Sequence, residues 1–356
     1  MNARLLRVFC GFLFLLPAGA CACCAVARFG EPVVNADQTV LVIWDPATKT
    51  EHFIRKASFE AKGGDFGFLV PTPTRPELSE SGAAAFPALA SFTRPLVRPR
   101  SGSGCSCNGS LGVTPECSPA PRVVVHERKE VAGFDAAVLS ASTPKDLGEW
   151  LNANGFEFSP EAEVWAAPYV RDGWMLTALR LKKSEETKDE KRMAADALRI
   201  SFHTERPLFP YREPDSRTAA QMLGITGRML RIYFISNARF EGKLDGSNGW
   251  TGRPVWSNLV SDFQKAALLE LLKLPAASGP AEWWLTEFED HWAYGVAPGD
   301  LYFAVAEKQE PLVRWVGGAP GGEKDVSIAV GLVLVGFGLW WRRRITAKLK
   351  PSKPAP

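Results

Sequence analysis

The segment QTVLVIWDPATKTEHFIRKASF at residues 38–59 points most directly to the fold of this chain. Residues 39–44 and 52–59 are rich in β-branched and aromatic side chains, which favour strands. Between them, Asp45-Pro46-Ala47-Thr48 has the composition of a tight turn. The segment therefore predicts a β-hairpin, and a fold built largely on antiparallel sheet.

Further strands and a few helices are predicted on either side of a long excursion. Strand patterns occupy residues 66–70, 122–126, 134–139, 175–181, 198–203, 229–235, 283–288 and 301–305. Helical patterns occupy residues 83–92, 143–154, a short stretch from 159, and 262–274. Pro71 is expected to end the strand at 66–70, and residues 71–121, rich in Pro, Gly and Ser, are expected to run over the surface. We expect the strands at 283–288 and 301–305 to form a pair.

The mixture of elements predicts an α+β fold, in which a largely antiparallel sheet carries a few packed helices. One exported domain is expected at residues 21–316, and its division into two subdomains near 182–196 stays open. The helix at 143–154 has the clearest local signals. Thr143 is a favoured N-cap with Pro144 at the first helical position, and Gly155 follows the last turn.

Both ends of the chain carry apolar segments that predict its topology. Arg4 and Arg7 precede an apolar run and the small residues at 18–20, which is the layout of a secretory signal peptide over residues 1–20. A Gly-rich linker at 317–325 leads to an uncharged segment at 326–341. This segment predicts a single C-terminal transmembrane helix.

The residues that flank this segment predict its orientation. The expected membrane anchors are Trp340, Trp341, Arg342, Arg343 and Arg344. Because basic residues gather on the cytoplasmic side, we expect the tail at 342–356 in the cytoplasm and residues 21–325 outside the cell membrane. A sorting signal, from which a protease removes the apolar tail, is an alternative that the sequence leaves open.

The charge of the exported part excludes two classes of partner. Two of the 42 basic residues precede residue 21 and six follow residue 341, which leaves about 34 against 39 acidic residues. The exported part is therefore mildly acidic. Nucleic acid and anionic lipid surfaces are not expected as its partners, because proteins bind both through clustered Lys and Arg.

Six of the seven cysteines form two clusters after the signal peptide. They are Cys21, Cys23, Cys24, Cys105, Cys107 and Cys117. An even number of cysteines in an exported protein predicts disulfides, and the geometry of the bond disfavours bridges between immediate neighbours, so pairing between the clusters is favoured. Bound zinc or copper and redox exchange are weaker alternatives, and cleavage after Ala22 instead of Ala20 would remove one cysteine.

Several segments of the chain resemble one bacterial family. They are the stretch at 38–44, DFGFLVPTP at 65–73, VAGFD at 131–135 and LGEWLNANGF at 147–156, together with the N-terminal cysteines. In these segments the chain resembles the bacterial domain-of-unknown-function family 2330. The resemblance implies an exported, often membrane-held bacterial protein with clustered cysteines, and it supplies no catalytic residues.

The sequence predicts no catalytic residue, no metal site and no cofactor. A G-x-S-x-G elbow, an H-E-x-x-H motif, a Walker loop and a G-x-G-x-x-G loop are all absent. His52, His126, His203 and His291 stand apart along the chain, and an ordinary surface or hydrogen-bonded role is favoured for each. A site whose residues meet only in the fold stays open.

Five tryptophans are candidates for stacking on a sugar or peptide ligand. They are Trp250, Trp256, Trp283, Trp284 and Trp292. That role requires exposed rings, and a position in the core is the alternative. The favoured function is a membrane-tethered, exported envelope protein, a non-enzymatic binding or structural module with disulfides. Its partner would be another envelope protein or a cell-wall polymer. The alternative function is an extracytoplasmic enzyme that uses cysteine redox or metal chemistry, or a hydrolase.

Overall fold

A computed structural model of the chain describes residues 24–26, 38–55, 58–59, 67–97, 123–156, 158–181, 193–194, 197–215, 217, 221, 227–247, 249–292 and 297–316. Contacts divide the chain into two units. The first comprises the described parts of Met1–Arg94 and Cys107–Val313, and the second those of Pro95–Ser106 and Arg314–Pro356. The predicted signal peptide, linker, transmembrane helix and tail lie outside the described residues. Among the described helices, none has the length and apolar character needed to cross a membrane.

Strands dominate the described part of the chain. The strands are β1 Cys24–Val26, β2 Gln38–Asp45, β3 Thr50–Arg55, β4 Ser58–Phe59, β5 Gly67–Thr72, β6 Glu77–Ser81, β7 Leu96–Val97, β8 Val123–Val131, β9 Phe134–Ala141, β10 Met175–Leu181, β11 Met193–Ala194, β12 Ala197–His203, β13 Leu208–Phe209, β14 Arg228–Ser236, β15 Phe240–Leu244, β16 Arg253–Leu259, β17 Trp284–Trp292, β18 Leu301–Val305 and β19 Trp315–Val316. The helices are α1 Ala85–Phe92, α2 Pro144–Ala153, α3 Pro160–Arg171 and α4 Asp262–Leu271.

Two large sheets form most of the first unit. The five-stranded sheet has the order β1-β5-β10-β9-β8, and the seven-stranded sheet has the order β16-β17-β14-β2-β3-β12-β6. Smaller sheets consist of β13, β18 and β15, and of β11 and β4. Among the described pairs of this unit, only β14 and β2 run parallel. The largely antiparallel α+β fold is thereby confirmed. In the second unit, β19 pairs with β7 in parallel.

Apolar side chains arrange the first unit as helices, sheet, sheet and helices. The facing sides of the two large sheets share one core, to which Phe53 and Phe234 contribute from one sheet and Phe68 and Phe134 from the other. Helices α2 and α3 cover the outer side of the five-stranded sheet, while α1 and α4 cover that of the seven-stranded sheet. Both sides of β2 are buried, so its sequence is a continuous apolar run without alternation.

The hairpin at the start of the seven-stranded sheet has the predicted form. Strand β2 pairs antiparallel with β3. The carboxylate of Asp45 closes the turn, because it accepts hydrogen bonds from Ala47 N at 2.9 Å and from Thr48 Oγ1 at 3.1 Å. Lys49 completes the turn with a left-handed φ of 53°. The second predicted strand is divided, since β3 ends at Arg55 and the separate strand β4 pairs with β11.

The prediction that Pro71 ends its strand was wrong. Strand β5 runs to Thr72, and Pro71 lies opposite Leu176 of β10. On the other side of β5, the pairing with β1 extends only to Leu69. A proline beyond that point removes no hydrogen bond to β1, so the sheet tolerates it.

Two further expectations about the strands were also wrong. The segments predicted as a last strand pair lie in different sheets, because β17 stands between β16 and β14, and β18 between β13 and β15. The predicted surface excursion contains β6, which forms one edge of the seven-stranded sheet. Both errors concern pairing between distant segments, which turn composition and periodicity do not encode.

Side chains cap the starts of three helices, as predicted for Thr143. Thr143 Oγ1 accepts a hydrogen bond from Asp146 N at 3.1 Å at the start of α2, and Ser159 Oγ accepts one from Ala162 N at 3.2 Å at the start of α3. Ser261 forms a capping box at α4. These side chains satisfy N–H groups that the first helical turn leaves without a partner.

Candidate functional site

A cleft on the outer side of the five-stranded sheet, at the point where α2 ends, is the candidate functional site. Its volume is about 350 Å³. Strands β8, β9 and β10 form the floor, and the last turn of α2 forms a wall. The lining combines two arginines, one aspartate and one asparagine with aromatic and small residues.

Asn154 and Gly155 shape the helix end that borders the cleft. Asn154 is the C-cap, and its Nδ2 donates to the carbonyl of Trp150 at 2.8 Å. Gly155 has a φ of +82°, a conformation that residues with a Cβ rarely adopt. The chain then turns so that Phe156 N donates to Leu151 O at 3.0 Å. The side-chain oxygen Oδ1 and the backbone oxygen of Asn154 therefore accept hydrogen bonds from side chains of the sheet.

Two arginines from the sheet converge on Asn154. Arg128 of β8 donates from Nη2 to Asn154 Oδ1 at 2.9 Å, and Arg180 of β10 donates from Nη1 to Asn154 O at 3.2 Å. Both guanidinium groups therefore lie at the C-terminal end of α2, where the helix dipole favours positive charge. In a purely structural interpretation, these arginines complete the hydrogen bonding of the helix end.

The charge balance of the cleft is positive. Asp135 of β9 accepts a hydrogen bond from Arg180 Nη2 at 3.0 Å, and the two side chains are 38% and 39% exposed. Arg128 is exposed, and its guanidinium carbon lies 5.5 Å from the centre of the Trp150 ring. A solvent-facing guanidinium beside an aromatic ring is suited to binding an anionic group.

A comparison with known families identifies the group of proteins to which this chain is related. The model of the family described as an uncharacterized protein conserved in bacteria, DUF2330, matches residues 17–304. The chain belongs to this family. No curated protein matches the DUF2330 chain. The crystal structure of baculovirus P35 aligns with 79% of the DUF2330 chain and with 97% of its own chain, at 8% identity and a TM-score of 0.36. A TM-score this low supports no conclusion about the DUF2330 chain.

Two segments that carry the resemblance to DUF2330 meet in the cleft. The segment at 147–156 supplies Trp150, Asn154 and Gly155, and the segment at 131–135 supplies Asp135. The cleft is therefore built partly from the segments by which the sequence resembles the DUF2330 family.

Sequence reasoning missed the two arginines of the cleft. Arg180 follows Leu176 and Ala178 on the same side of β10, and only that periodicity could have placed it on the helix-covered side. Arg128 follows an irregularity in the pairing of β8, between Val125 and Glu127, so simple alternation would have assigned it to the wrong side.

Most of the predicted anchor and disulfide residues of this DUF2330 chain lie outside the described residues. Cys24 alone among the cysteine candidates is described, in β1, opposite Leu69 of β5. The undescribed residues are Cys21, Cys23, Cys105, Cys107, Cys117, Trp340, Trp341, Arg342, Arg343 and Arg344. Disulfides and membrane anchoring stay predictions.

Three of the five candidate stacking tryptophans are buried. Trp256, Trp283 and Trp284 are 8%, 1% and 8% exposed. Rings with so little exposure cannot stack on a ligand that arrives from solvent, so the stacking prediction does not hold for them. Trp250 is half-buried, and the side chain of Trp292 is outside the described part of the structure.

Trp250 belongs to a polar cluster around Asp290. The carboxylate of Asp290, 1% exposed, accepts hydrogen bonds from Tyr211 Oη at 2.6 Å, Trp250 Nε1 at 2.9 Å and Thr251 Oγ1 at 2.6 Å. Burial and then the adjacent carboxylate raise the pKa of Tyr211. The cluster ties three distant segments together in the interior, and its role is structural.

Two histidines pair with serines in the sheets. His52 Nδ1 lies 2.8 Å from Ser201 Oγ, and His126 Nε2 lies 2.7 Å from Ser140 Oγ. An unperturbed histidine has a pKa of 6.5. Burial lowers the pKa of His52 to about 4, and it also lowers the pKa of His126. Within the described residues, no group of three His, Cys, Asp or Glu side chains could hold a metal ion.

Proposed function

We propose that this chain is an exported, membrane-tethered protein of the bacterial cell envelope that binds a partner and catalyses no reaction. The signal peptide predicted at 1–20 and the apolar segment at 326–341 support its location. Disulfides between the two cysteine clusters stabilise the exported part. The ligand site is the cleft at the end of α2, and the partner is an envelope protein or a cell-wall polymer.

The exposed guanidinium of Arg128 is the observation that carries this proposal. The helix end needs only one of its N–H groups, for the bond to Asn154 Oδ1. Within the described residues its other donors have no protein partner, and the Trp150 ring lies beside them. An exposed arginine with free donors at a concave, aromatic-walled site is typical of a binding site.

Cosedimentation with cell-wall sacculi tests the binding. We expect the full-length protein to sediment with sacculi, and Arg128→Gln to lose this behaviour. Arg171→Gln is the matched control, because Arg171 is an exposed arginine at the end of α3 that pairs with Asp172 outside the cleft. If wild type and Arg128→Gln sediment equally, the cleft does not bind the cell-wall polymer.

The cysteines and the anchor need a separate test. The intact mass of the exported protein, measured with and without reduction and alkylation, counts the disulfides. Extraction of cell membranes at high pH then separates integral from peripheral proteins. Free thiols would contradict the disulfides, and release at high pH would contradict the transmembrane helix.

An extracytoplasmic hydrolase is the second candidate function, and the His126–Ser140 pair favours it. A histidine with a lowered pKa is neutral at pH 7, so its Nε2 can accept the hydroxyl proton of Ser140. Within the described residues, no carboxylate is hydrogen-bonded to this histidine. Labelling by a fluorophosphonate probe, lost in Ser140→Ala, would support the enzyme and contradict the binding module.

A further inference from the structure

We infer that the ligand of the cleft is a sugar unit that bears a carboxylate, an inference that rests on the proposed function. In this arrangement the guanidinium of Arg128 binds the carboxylate, and the Trp150 ring packs against the apolar face of the sugar ring. The acidic sugars of cell-wall polymers belong to this chemical class. Two properties of the cleft select the ligand: the donors that remain free and the shape of the lining.

Of the two arginines that line the cleft, Arg128 keeps more free donors than Arg180, which is bonded to both Asn154 O and Asp135. A guanidinium has five N–H groups in a planar fork, and two of them can bind both oxygens of one carboxylate. Arg128 Nη2 donates one hydrogen bond, to Asn154 Oδ1 at 2.9 Å. The bond holds one edge of the fork in place, and the exposed remainder is available to an anion. Arg128 is thus positioned before the ligand arrives, which reduces the entropy lost on binding.

The acid of the cleft is already neutralised. Asp135 is bonded by Arg180 Nη2 at 3.0 Å, and Arg180 uses Nη1 for the carbonyl of Asn154 at 3.2 Å. Asp135 therefore does not compete strongly with a ligand for Arg128. The site discriminates in favour of an anionic ligand, because a neutral ligand would leave the guanidinium fork without an acceptor.

The walls of the cleft fit a ring better than an extended peptide. Trp150 is half-buried and presents part of its ring, while Ala153 and Gly155 leave space beside it. A volume of about 350 Å³ is near the lower end for small-molecule sites. Extended peptides usually add to a sheet edge, whereas this lining comes from the side of the sheet that faces α2.

Binding of two related sugars tests the inference. N-acetylmuramic acid and N-acetylglucosamine share a ring, and only the first bears a carboxylate. We expect the full-length protein to bind the acid on the order of tenfold more tightly by calorimetry, the gain typical of a charge-assisted pair. Arg128→Gln should remove this preference, and Trp150→Leu should weaken both sugars. Arg171→Gln, the control outside the cleft, should change neither affinity.

The outcomes separate this inference from the proposed function. Equal affinity for the two sugars, or a preference that persists in Arg128→Gln, overturns the acidic-sugar ligand. If Arg128-dependent binding to sacculi survives that result, the binding function stands. Competition by a tetraglutamate peptide but not by either sugar would also overturn the inference and identify a peptide ligand. Melting temperatures of the variants show that each has folded, and Arg128→Lys, which keeps the charge without the fork, should retain only part of the preference.

Discussion

His52 should make the folded protein sensitive to acid. It lies in β3, between Ile43 of β2 and Ser201 of β12, and its Nδ1 is 2.8 Å from Ser201 Oγ. Burial, followed by the charge of Arg199, lowers its pKa from 6.5 to about 4, although Asp45 opposes the shift. The folded protein therefore binds this proton less tightly than the unfolded chain does.

The lowered pKa determines the sign and the size of the effect. Stability contributed by neutral His52 is fully present above pH 6.5 and is lost as the pH falls through the folded pKa of about 4. One pKa unit corresponds to about 1.36 kcal/mol, so the full loss is about 3 kcal/mol. Between pH 7.5 and pH 5, where the folded state is still mostly neutral, the loss is about 2 kcal/mol.

Urea denaturation of wild type and His52→Gln measures this effect. Glutamine does not titrate, so the variant should lose about 2 kcal/mol less than wild type when the pH falls from 7.5 to 5. The difference between the two proteins removes the titration of all other groups. His291→Gln is the matched control, because His291 is an exposed histidine in strand β17.

Two results would refute the reasoning about His52. One is a difference between wild type and His52→Gln that stays constant within about 0.5 kcal/mol across this pH range. The other is an equally large change in the control. Either would mean that the folded protein accommodates a charged imidazole at this position in spite of its burial.

Four further substitutions test the interior, a turn and the surface. Burial raises the pKa of Glu51, so wild type should lose stability as the pH rises through that pKa, and Glu51→Gln should remove this loss in urea titrations at several pH values. Asp290→Ala removes the acceptor of the buried Tyr211 hydroxyl and of the half-buried Trp250 indole N–H, and an unpaired buried donor costs about 1–3 kcal/mol, so urea denaturation should show a loss of about 2 kcal/mol. Gly155→Ala forces a left-handed φ on alanine while its Cβ meets only ordinary contact, so thermal unfolding should report a loss of about 1 kcal/mol. Phe263→Ser, at a side chain 84% exposed, should leave stability within about 0.5 kcal/mol. Each of these arguments has a result that would contradict it. For Glu51→Gln it is a pH profile parallel to that of wild type, and for Asp290→Ala a loss under about 1 kcal/mol. For Gly155→Ala it is a gain in stability, and for Phe263→Ser a large loss.

Local elements were predicted well because their signals are local. The N-cap at Thr143 and the glycine at 155 bound α2 as expected. The predicted strand at 301–305 matches β18 residue for residue. In each case the deciding interactions join residues only a few positions apart, so the sequence displays them directly.

Pairing between strands could not be predicted in the same way. The sequence indicated that β17 and β18 exist, but it did not indicate their partners. In the structure β17 pairs with β14 and β16, and β18 pairs with β13 and β15. These pairings depend on how the apolar sides of the strands fit together across the whole unit. The course of β5 through Pro71 is a further example, since it depends on β5 pairing with β10 beyond Leu69, where the pairing with β1 ends.

The sequence by itself determined the α+β class, the helix caps and the family, because composition and short-range pattern carry that information. Only the tertiary structure decided where the cleft lies. Arg128 and Asn154 are 26 residues apart, and Asp135 and Arg180 are 45 apart. They meet because β8, β9 and β10 align side by side beneath the end of α2. The tertiary structure also placed three of the five candidate tryptophans in the interior, since burial depends on neighbours that no local pattern specifies.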